Sequence, residues 1–328
     1  MPNDMSVQIE RTHALVFAPA HSRALGERVA AALGVALAAS EEREFEGGEH
    51  KMRSLVDVGG CSVYVVQSLC GDARASANDK LCRLLFFIGA LKDAGAARVT
   101  ACVPYLAYAR KDRRTQPRDP VTTRYVAALF EAVGVDEVVV LDVHNEAAFD
   151  NAFRCRTTRI EGAAVFADAL GAHVDAARCA VASPDLGGVK RAQRLREQLA
   201  ERFATDLGFA FMEKRRARGV VSGEMLVGDV MARDVVIHDD MIVSGGTIRR
   251  ATLAARAAGA RRIIVVATHA AFTSSAAQLF ETDGPDLVLV SDSIELREPF
   301  SRYRGNRLQV CSIAPAVAEC VRSDRTHA

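Results

Sequence analysis

Short runs of β-branched and apolar residues alternate with longer stretches in which Ala and Leu recur at helical spacing. In the first half, HALVFA precedes SRALGERVAAALG, and CSVYVVQS precedes DKLCRLLFFIGALKDAGA. RVTACVPYL then follows, and TTRYVAALFEAVG precedes EVVVLDVH. The second half repeats the order: CAVASPD before GGVKRAQRLREQLAERF, DVVIHDD before TIRRATLAARAAGA, then RRIIVVATHA and DLVLVSDS. The apolar runs do not alternate with polar residues, as expected of strands covered on both faces. Strand–helix order predicts α/β architecture with right-handed crossovers, here two doubly wound parallel-sheet domains. The pattern breaks near 155–162, in RCRTTRIEGAAVF. The predicted domains are therefore 1–158 and 159–302, with a helical stretch at 303–328 packing back on the first.

Composition narrows the function classes. The 328 residues are 49% hydrophobic and 25% charged, with a net charge of +1, so no global field favours nucleic acid or an acidic membrane. No apolar run approaches the ~18 residues of a membrane span. The first residues lack the basic-then-apolar order of a secretory signal, so the expected location is cytoplasmic. The eight cysteines form no C-x-x-C pair, which predicts reduced, mostly buried thiols rather than a zinc site.

In open parallel sheets ligands sit beyond the carboxyl ends of strands, so candidate chemistry is sought there. VVIHDDMIVSGGTI places Asp239 and Asp240 at such an end. Adjacent acids there repel and lose hydration unless a cation or hydroxyl groups satisfy them, and vicinal sugar hydroxyls are suitable donors. Ser244, Gly245, Gly246 and Thr247 follow directly, just before a helical pattern. Their backbone N–H groups suit a phosphate; a solvated turn with an N-cap is the plainer alternative. In VASPDLGGVKRAQRL, Asp185 ends a strand as a candidate Mg²⁺ ligand, and Gly187 and Gly188 open the next helix. VVVLDVHNEAAF ends a strand with Asp142 and His144. PYLAYARKDRR gathers Arg110, Lys111, Arg113 and Arg114 in a predicted loop, suited either to a polyphosphate or to solvent. MEKRRARGVVSGEM carries Lys214, Arg215, Arg216 and Arg218 in what reads as an exposed loop able to close over phosphates. Phe45 and Glu49 flank two glycines in REFEGGEHKMRS, where a ring suits a base and an acid suits an exocyclic amine.

In chain order these segments resemble ribose-phosphate diphosphokinase, the PRPP synthetase family, essentially end to end. PYLAYARKDRR is similar to its P-Y-x-x-Y-A-R-Q-D-R, and DVHNEAAFDNAF to its D-L-H-x-x-Q-x-x-x-F-F. SPDLGGVKRA is similar to S-P-D-x-G-G-x-x-R-A, EKRR to its K-R-R loop, and HDDMIVSGGT to D-D-x-x-D-T-G-G-T. The resemblance implies two domains of the type I phosphoribosyltransferase kind. It also implies transfer of the diphosphoryl group of Mg-ATP to the C1 hydroxyl of ribose 5-phosphate, with AMP leaving. Asp239 and Asp240 would hold the ribose hydroxyls, and Ser244, Gly245, Gly246 and Thr247 the 5-phosphate. His144 and Asp185 would serve Mg²⁺, with His144, Arg110 and Lys111 at ATP. Lys214 and Arg216 would be the catalytic cations. Phe45, Gly47 and Glu49 would lie in the adenine segment, which in the family reaches a neighbouring subunit, so a homodimer or hexamer is implied.

The sequence departs from the family at informative places. FEGGE stands for F-S-D-G-E, so Gly47 replaces an acid; Lys111 replaces Gln; Asn145 and Ala147 alter the stretch after His144. Val243 replaces the third acid of the ribose-phosphate loop, and Ser244 replaces Thr. A noncatalytic regulatory paralogue would be expected to lose the loop cations or metal residues, yet Lys214, Arg216, His144 and Asp185 are present. A phosphoribosyltransferase would account for the Asp239 loop but not for the first half of the chain.

Overall fold

The computed structural model describes residues 14–217 and 220–327. The first half forms β1 (Ala14–Phe17), α1 (Arg23–Leu33), β2 (Ser40–Glu44), β3 (His50–Ser54), β4 (Ser62–Val66) and α2 (Ala77–Asp93). It continues with β5 (Arg98–Val103), α3 (Thr122–Ala132), β6 (Glu137–Leu141), α4 (Glu146–Ala152) and β7 (Arg156–Ile160). The second half contributes α5 (Gly162–Gly171), β8 (Cys179–Ser183), α6 (Val189–Phe203), β9 (Gly208–Ala217), β10 (Val220–Val227) and β11 (Asp234–Ile242). Then come α7 (Gly246–Ala257), β12 (Arg262–Ala270), β13 (Leu287–Ser291), β14 (Leu308–Cys311) and α8 (Ala314–His327).

The first sheet is parallel, in the order β1-β4-β5-β6-β7. The second runs β10-β9-β8-β11-β12-β13-β14, parallel except for the edge strand β10. The expected α/β fold with parallel sheets is therefore present. Strands β4, β6, β8 and β13 are buried at every position, which is why their sequences run apolar without alternation. Helices cover both faces of each sheet. Phe17, Leu84, Phe87, Ile88 and Phe130 fill one side of the first sheet, and Ile237, Ile248, Val265 and Leu279 one side of the second. Helix α2 begins with a capping box: Asp79 N donates to Ser76 Oγ at 3.1 Å, and Ser76 N to Asp79 Oδ2 at 2.7 Å.

Three elements differ from the sequence expectation. MEKRRA and VVSGEM form an antiparallel ribbon rather than a loop, with Lys214 opposite Glu224 and Arg216 opposite Val221, and Arg218 between them lies outside the described residues. A ribbon projecting from a sheet edge needs no apolar face, so its charges masked the strand pattern. RTTRI, where the pattern seemed to break, is the edge strand β7, half-exposed and therefore less apolar. The 303–328 segment divides: β14 joins the second sheet, and only α8 returns to the first, where Ile313, Val317 and Val321 pack with Val16, Leu25, Val29 and Ile160.

All eight cysteines are free, but only Cys102, Cys179 and Cys311 are buried and Cys82 is exposed. Among the described residues no helix is long and apolar enough to cross a membrane.

Candidate functional site

The carboxyl ends of β6, β8 and β11 meet across the two sheets in a cleft of about 730 Å³. Arg110 and His144 line it from the first sheet; Asp185, Asp239, Asp240 and the Ser244–Thr247 turn line it from the second. Residues far apart in sequence are thus brought together, as the topology of open parallel sheets requires.

The acid pair stands at the end of β11. Asp240 is buried and Asp239 half-buried. His144 Nδ1 donates to Asp240 Oδ2 at 2.7 Å, joining the two sheets directly. Arg191, in the first turn of α6, places Nη1 3.8 Å from Asp239 Oδ1 and Nη2 3.6 Å from Asp240 Oδ2. Burial pushes the Asp239 carboxyl well above the usual range, and the neighbouring Asp240 charge adds to this. Burial alone would also raise Asp240, but the His144 hydrogen bond and the Arg191 charge overcome it and hold that carboxyl well below the usual range. One acid is therefore firmly ionised and its neighbour reluctant, two acceptors held in unlike states.

The small-residue turn is dictated by space. Gly245 has φ +79°, and a side chain there would come within 2.9 Å of Leu279. Val243 O accepts from Thr273 N at 2.9 Å, and Ser244 O from Gln278 Nε2 at 3.0 Å, which fixes the loop from behind. The open side of the turn faces the cleft at the start of α7, where Gly246 N donates only a long 3.5 Å bond to Ser244 Oγ and the helix dipole favours an anion.

Asp185 Oδ1 accepts from Gly188 N at 2.9 Å, and among the described residues its second oxygen has no hydrogen-bond partner. His144 makes its hydrogen bond through Nδ1, and among the described residues Nε2 has no hydrogen-bond partner. No group of three or more His, Cys, Asp or Glu side chains suits a metal among the described residues. Asp185 offers the oxygen ligand that a hard ion such as Mg²⁺ prefers, with phosphate oxygens and water to complete its shell, and His144 lines the same cleft.

Asp142, adjacent in sequence to the His144 segment, has a different task. Its carboxylate accepts from Gly162 N at 3.0 Å and Thr268 Oγ1 at 2.5 Å, and its carbonyl from His269 Nε2 at 3.2 Å. With φ +38°, it ties the end of β6 to the second sheet. A Cβ on Gly162 would lie 2.3 Å from that carboxylate, so the approach requires glycine.

Other sequence candidates lie elsewhere. Lys111 lines an adjoining cavity of about 330 Å³ together with Tyr105, Arg110, His144 and His269. Phe45, Gly47 and Glu49 form the tip between β2 and β3, outside the cleft of their own chain. Phe45 is exposed there, with the Arg43 guanidinium 4.9 Å above its ring. The side chains of Lys214 and Arg216 lie outside the described residues. Their strand β9 pairs with β8 only over Gly208–Phe211 and then extends past the carboxyl end of the sheet with β10. Met212 on that extension shares a recess with Asp185 and Thr247.

Arg191 and Arg194 were not singled out from sequence, although both line the cleft. The signal was their place on α6, within two turns of the Asp185–Gly188 turn. Arg194 is committed to Glu146, with Nη2 donating to Oε2 at 3.0 Å.

Comparison with known proteins adds an independent finding. Residues 14–134 match the N-terminal domain of ribose phosphate pyrophosphokinase, and residues 220–327 match the phosphoribosyl synthetase-associated domain. The chain is 35% identical over 300 residues to the ribose-phosphate pyrophosphokinase of Pasteurella multocida, covering 91% of each. It is 36% identical over 301 residues to that of Vibrio parahaemolyticus, again covering 91% of each. The crystal structure of phosphoribosylpyrophosphate synthetase from Mycobacterium smegmatis superposes with a TM-score of 0.84 at 31% identity, covering 96% of this chain and 100% of that one.

Proposed function

The chain belongs to the ribose-phosphate pyrophosphokinase family, and from that premise we propose how its cleft performs the reaction. The enzyme transfers the diphosphoryl group of ATP to ribose 5-phosphate. The C1 hydroxyl oxygen attacks the β-phosphorus, a new O–P bond forms, and the bond to the α-phosphate oxygen breaks, giving PRPP and AMP. The observation that carries this reading is the single cleft joining an acid pair, a helix-capping small-residue turn and cations from the opposite sheet.

Asp239 and Asp240 accept from the ribose hydroxyls, and the backbone of Ser244, Gly245, Gly246 and Thr247 holds the 5-phosphate. These two anchors, a few residues apart on one loop, fix the sugar so that its C1 oxygen faces the first sheet. Arg110 and Lys111 bind the ATP phosphates from that side. Asp185 and His144 would hold Mg²⁺, which when bound would neutralise phosphate charge. Lys214 and Arg216 approach on the β9–β10 ribbon and stabilise the charge that builds as the diphosphoryl group moves. Such transfer rests on positioning and electrostatics rather than on covalent chemistry by the protein. Phe45, Gly47 and Glu49, exposed at a hairpin tip, serve the adenine of a neighbouring subunit in a homodimer or hexamer. A cytoplasmic location suits free thiols and soluble substrates.

The expected result of a coupled assay is AMP release that depends on both ribose 5-phosphate and Mg²⁺. Running it with ATP, GTP and CTP reads the effect of Gly47 on base preference. No turnover with any of the three would sink the enzymatic reading.

Val243→Asp is expected to lower the KM for ribose 5-phosphate or leave it unchanged, since Val243 lines the cleft beside the phosphate turn and its loop is fixed through its carbonyl rather than its side chain. A large loss of activity would instead show a pocket suited to an apolar group there. Steady-state kinetics with ribose 5-phosphate varied distinguishes the two.

A further inference from the structure

We propose that Arg191 is a positioning residue for ribose 5-phosphate, its guanidinium bridging Asp239 and Asp240 so that both carboxylates stay aimed at vicinal hydroxyls. This rests on the reading of that acid pair as the sugar site. Two adjacent acids at the end of a buried strand repel each other, which drives their carboxylates out of a shared aim. A counter-charge that reaches both offsets that repulsion. Among the described residues, Arg191 is the cation whose two terminal nitrogens contact one acid each, 3.8 Å from Asp239 and 3.6 Å from Asp240.

The distances matter for what the contact leaves free. They are ion-pair separations, too long for hydrogen bonds, so Arg191 itself consumes no carboxylate lone pair, while Asp239 Oδ1 accepts from Asp240 N at 2.8 Å and keeps its second oxygen for a hydroxyl donor. Asp240 Oδ2 is already taken by His144, which leaves Oδ1 for substrate. Arg191 itself is only 19% exposed and Asp240 only 7%, so solvent screens their attraction weakly.

The start of α6 is built to hold Arg191 in place. Asp185 Oδ1 closes the preceding turn on Gly188 N, and a Cβ on Gly188 would lie 2.8 Å from Ser183 Oγ. That packing allows little sway at the helix start. The planar fork of arginine suits a two-carboxylate bridge; the ammonium of lysine is a point charge and reaches one acid at a time.

Steady-state kinetics and nucleotide-free binding test the proposal. Arg191→Gln is expected to raise the KM for ribose 5-phosphate about 10- to 100-fold, the loss of a charge-assisted contact, while the KM for ATP stays within about 3-fold. Calorimetric titration with ribose 5-phosphate alone should weaken by a similar factor, and Arg191→Lys should recover only part of the affinity. An unchanged KM for ribose 5-phosphate overturns the proposal. So does a rise confined to the KM for ATP, which would make Arg191 a polyphosphate ligand. Should Arg191→Gln fail to fold, Arg191→Lys decides: sugar-phosphate affinity equal to that of the unsubstituted enzyme rules out the bridging role. The two readings fail separately. Absence of AMP release by the unsubstituted enzyme counts against the reaction, whereas the binding titration still reads Arg191.

Discussion

Lys214→Ala is expected to lower kcat by about 10³-fold while changing either KM far less, because it removes a charge needed mainly as the diphosphoryl group moves. In the proposed ground-state complex the anchors are the acid pair, the Ser244–Thr247 turn and Arg110, which line one cleft. The β9–β10 ribbon leaves the second sheet at its carboxyl edge and brings the Lys214 backbone past Met212, which borders the recess beside Asp185. An extension paired with one strand alone can move toward bound phosphates at low cost. Arg216→Ala should fall by a similar factor, and the double variant by less than the product of the two, since residues acting on one charge are not additive. Full activity in Lys214→Ala would remove it from the catalytic group.

A comparably large effect is expected on stability rather than catalysis. Asp72→Ala should cost about 3–5 kcal/mol, the usual result of leaving a buried charge without its partner. The Asp72 side chain is 1% exposed and that of Lys80 3%, with the ammonium 2.6 Å from Asp72 Oδ2. Arg297, reaching over from beyond β13, donates to the same oxygen at 2.7 Å. Asp72 Oδ1 meanwhile accepts from Arg74 N at 2.7 Å and Ala75 N at 3.0 Å. Burial already lowers the Lys80 pKa, so the ammonium depends on its surroundings to remain charged. Without Asp72, the buried Lys80 ammonium faces the Arg297 guanidinium with no carboxylate between them. Urea denaturation should show a lower midpoint for Asp72→Ala, and Lys80→Met in the same chain should recover part of the loss. An unchanged midpoint would mean that water enters and screens the cluster.

The central strands of the fold were legible because each is buried on both faces, so its composition alone marks it. The edges were not. β7 is half-exposed and reads as a break, β2 and β3 are polar at most positions, and the β9–β10 ribbon looked like a charged loop. The same division applies at the cleft. Strand–turn–helix segments around Asp185 and Asp239 announce themselves because acid, small residues and helix start are neighbours in sequence. Arg191 is equally near but lies on a helix face otherwise rich in ordinary solvent-facing charges, and nothing in its spacing points inward.

Asp142 and His144 show how little separates the two cases. They are two residues apart on one loop, yet Asp142 is spent on Gly162 and Thr268, while His144 opens to the cleft and bonds to Asp240. Sequence determined the local pieces: which runs are buried strands, which turns must be glycine, where a helix start can receive a phosphate. Those depend on contacts within a few residues and on side-chain volume. Tertiary structure decided the pairings, His144 with Asp240 across 96 positions and Asp72 with Arg297 across 225. A charge finds such a partner only after both sheets have formed and packed, because the burial that makes the pairing necessary does not exist in the separate segments.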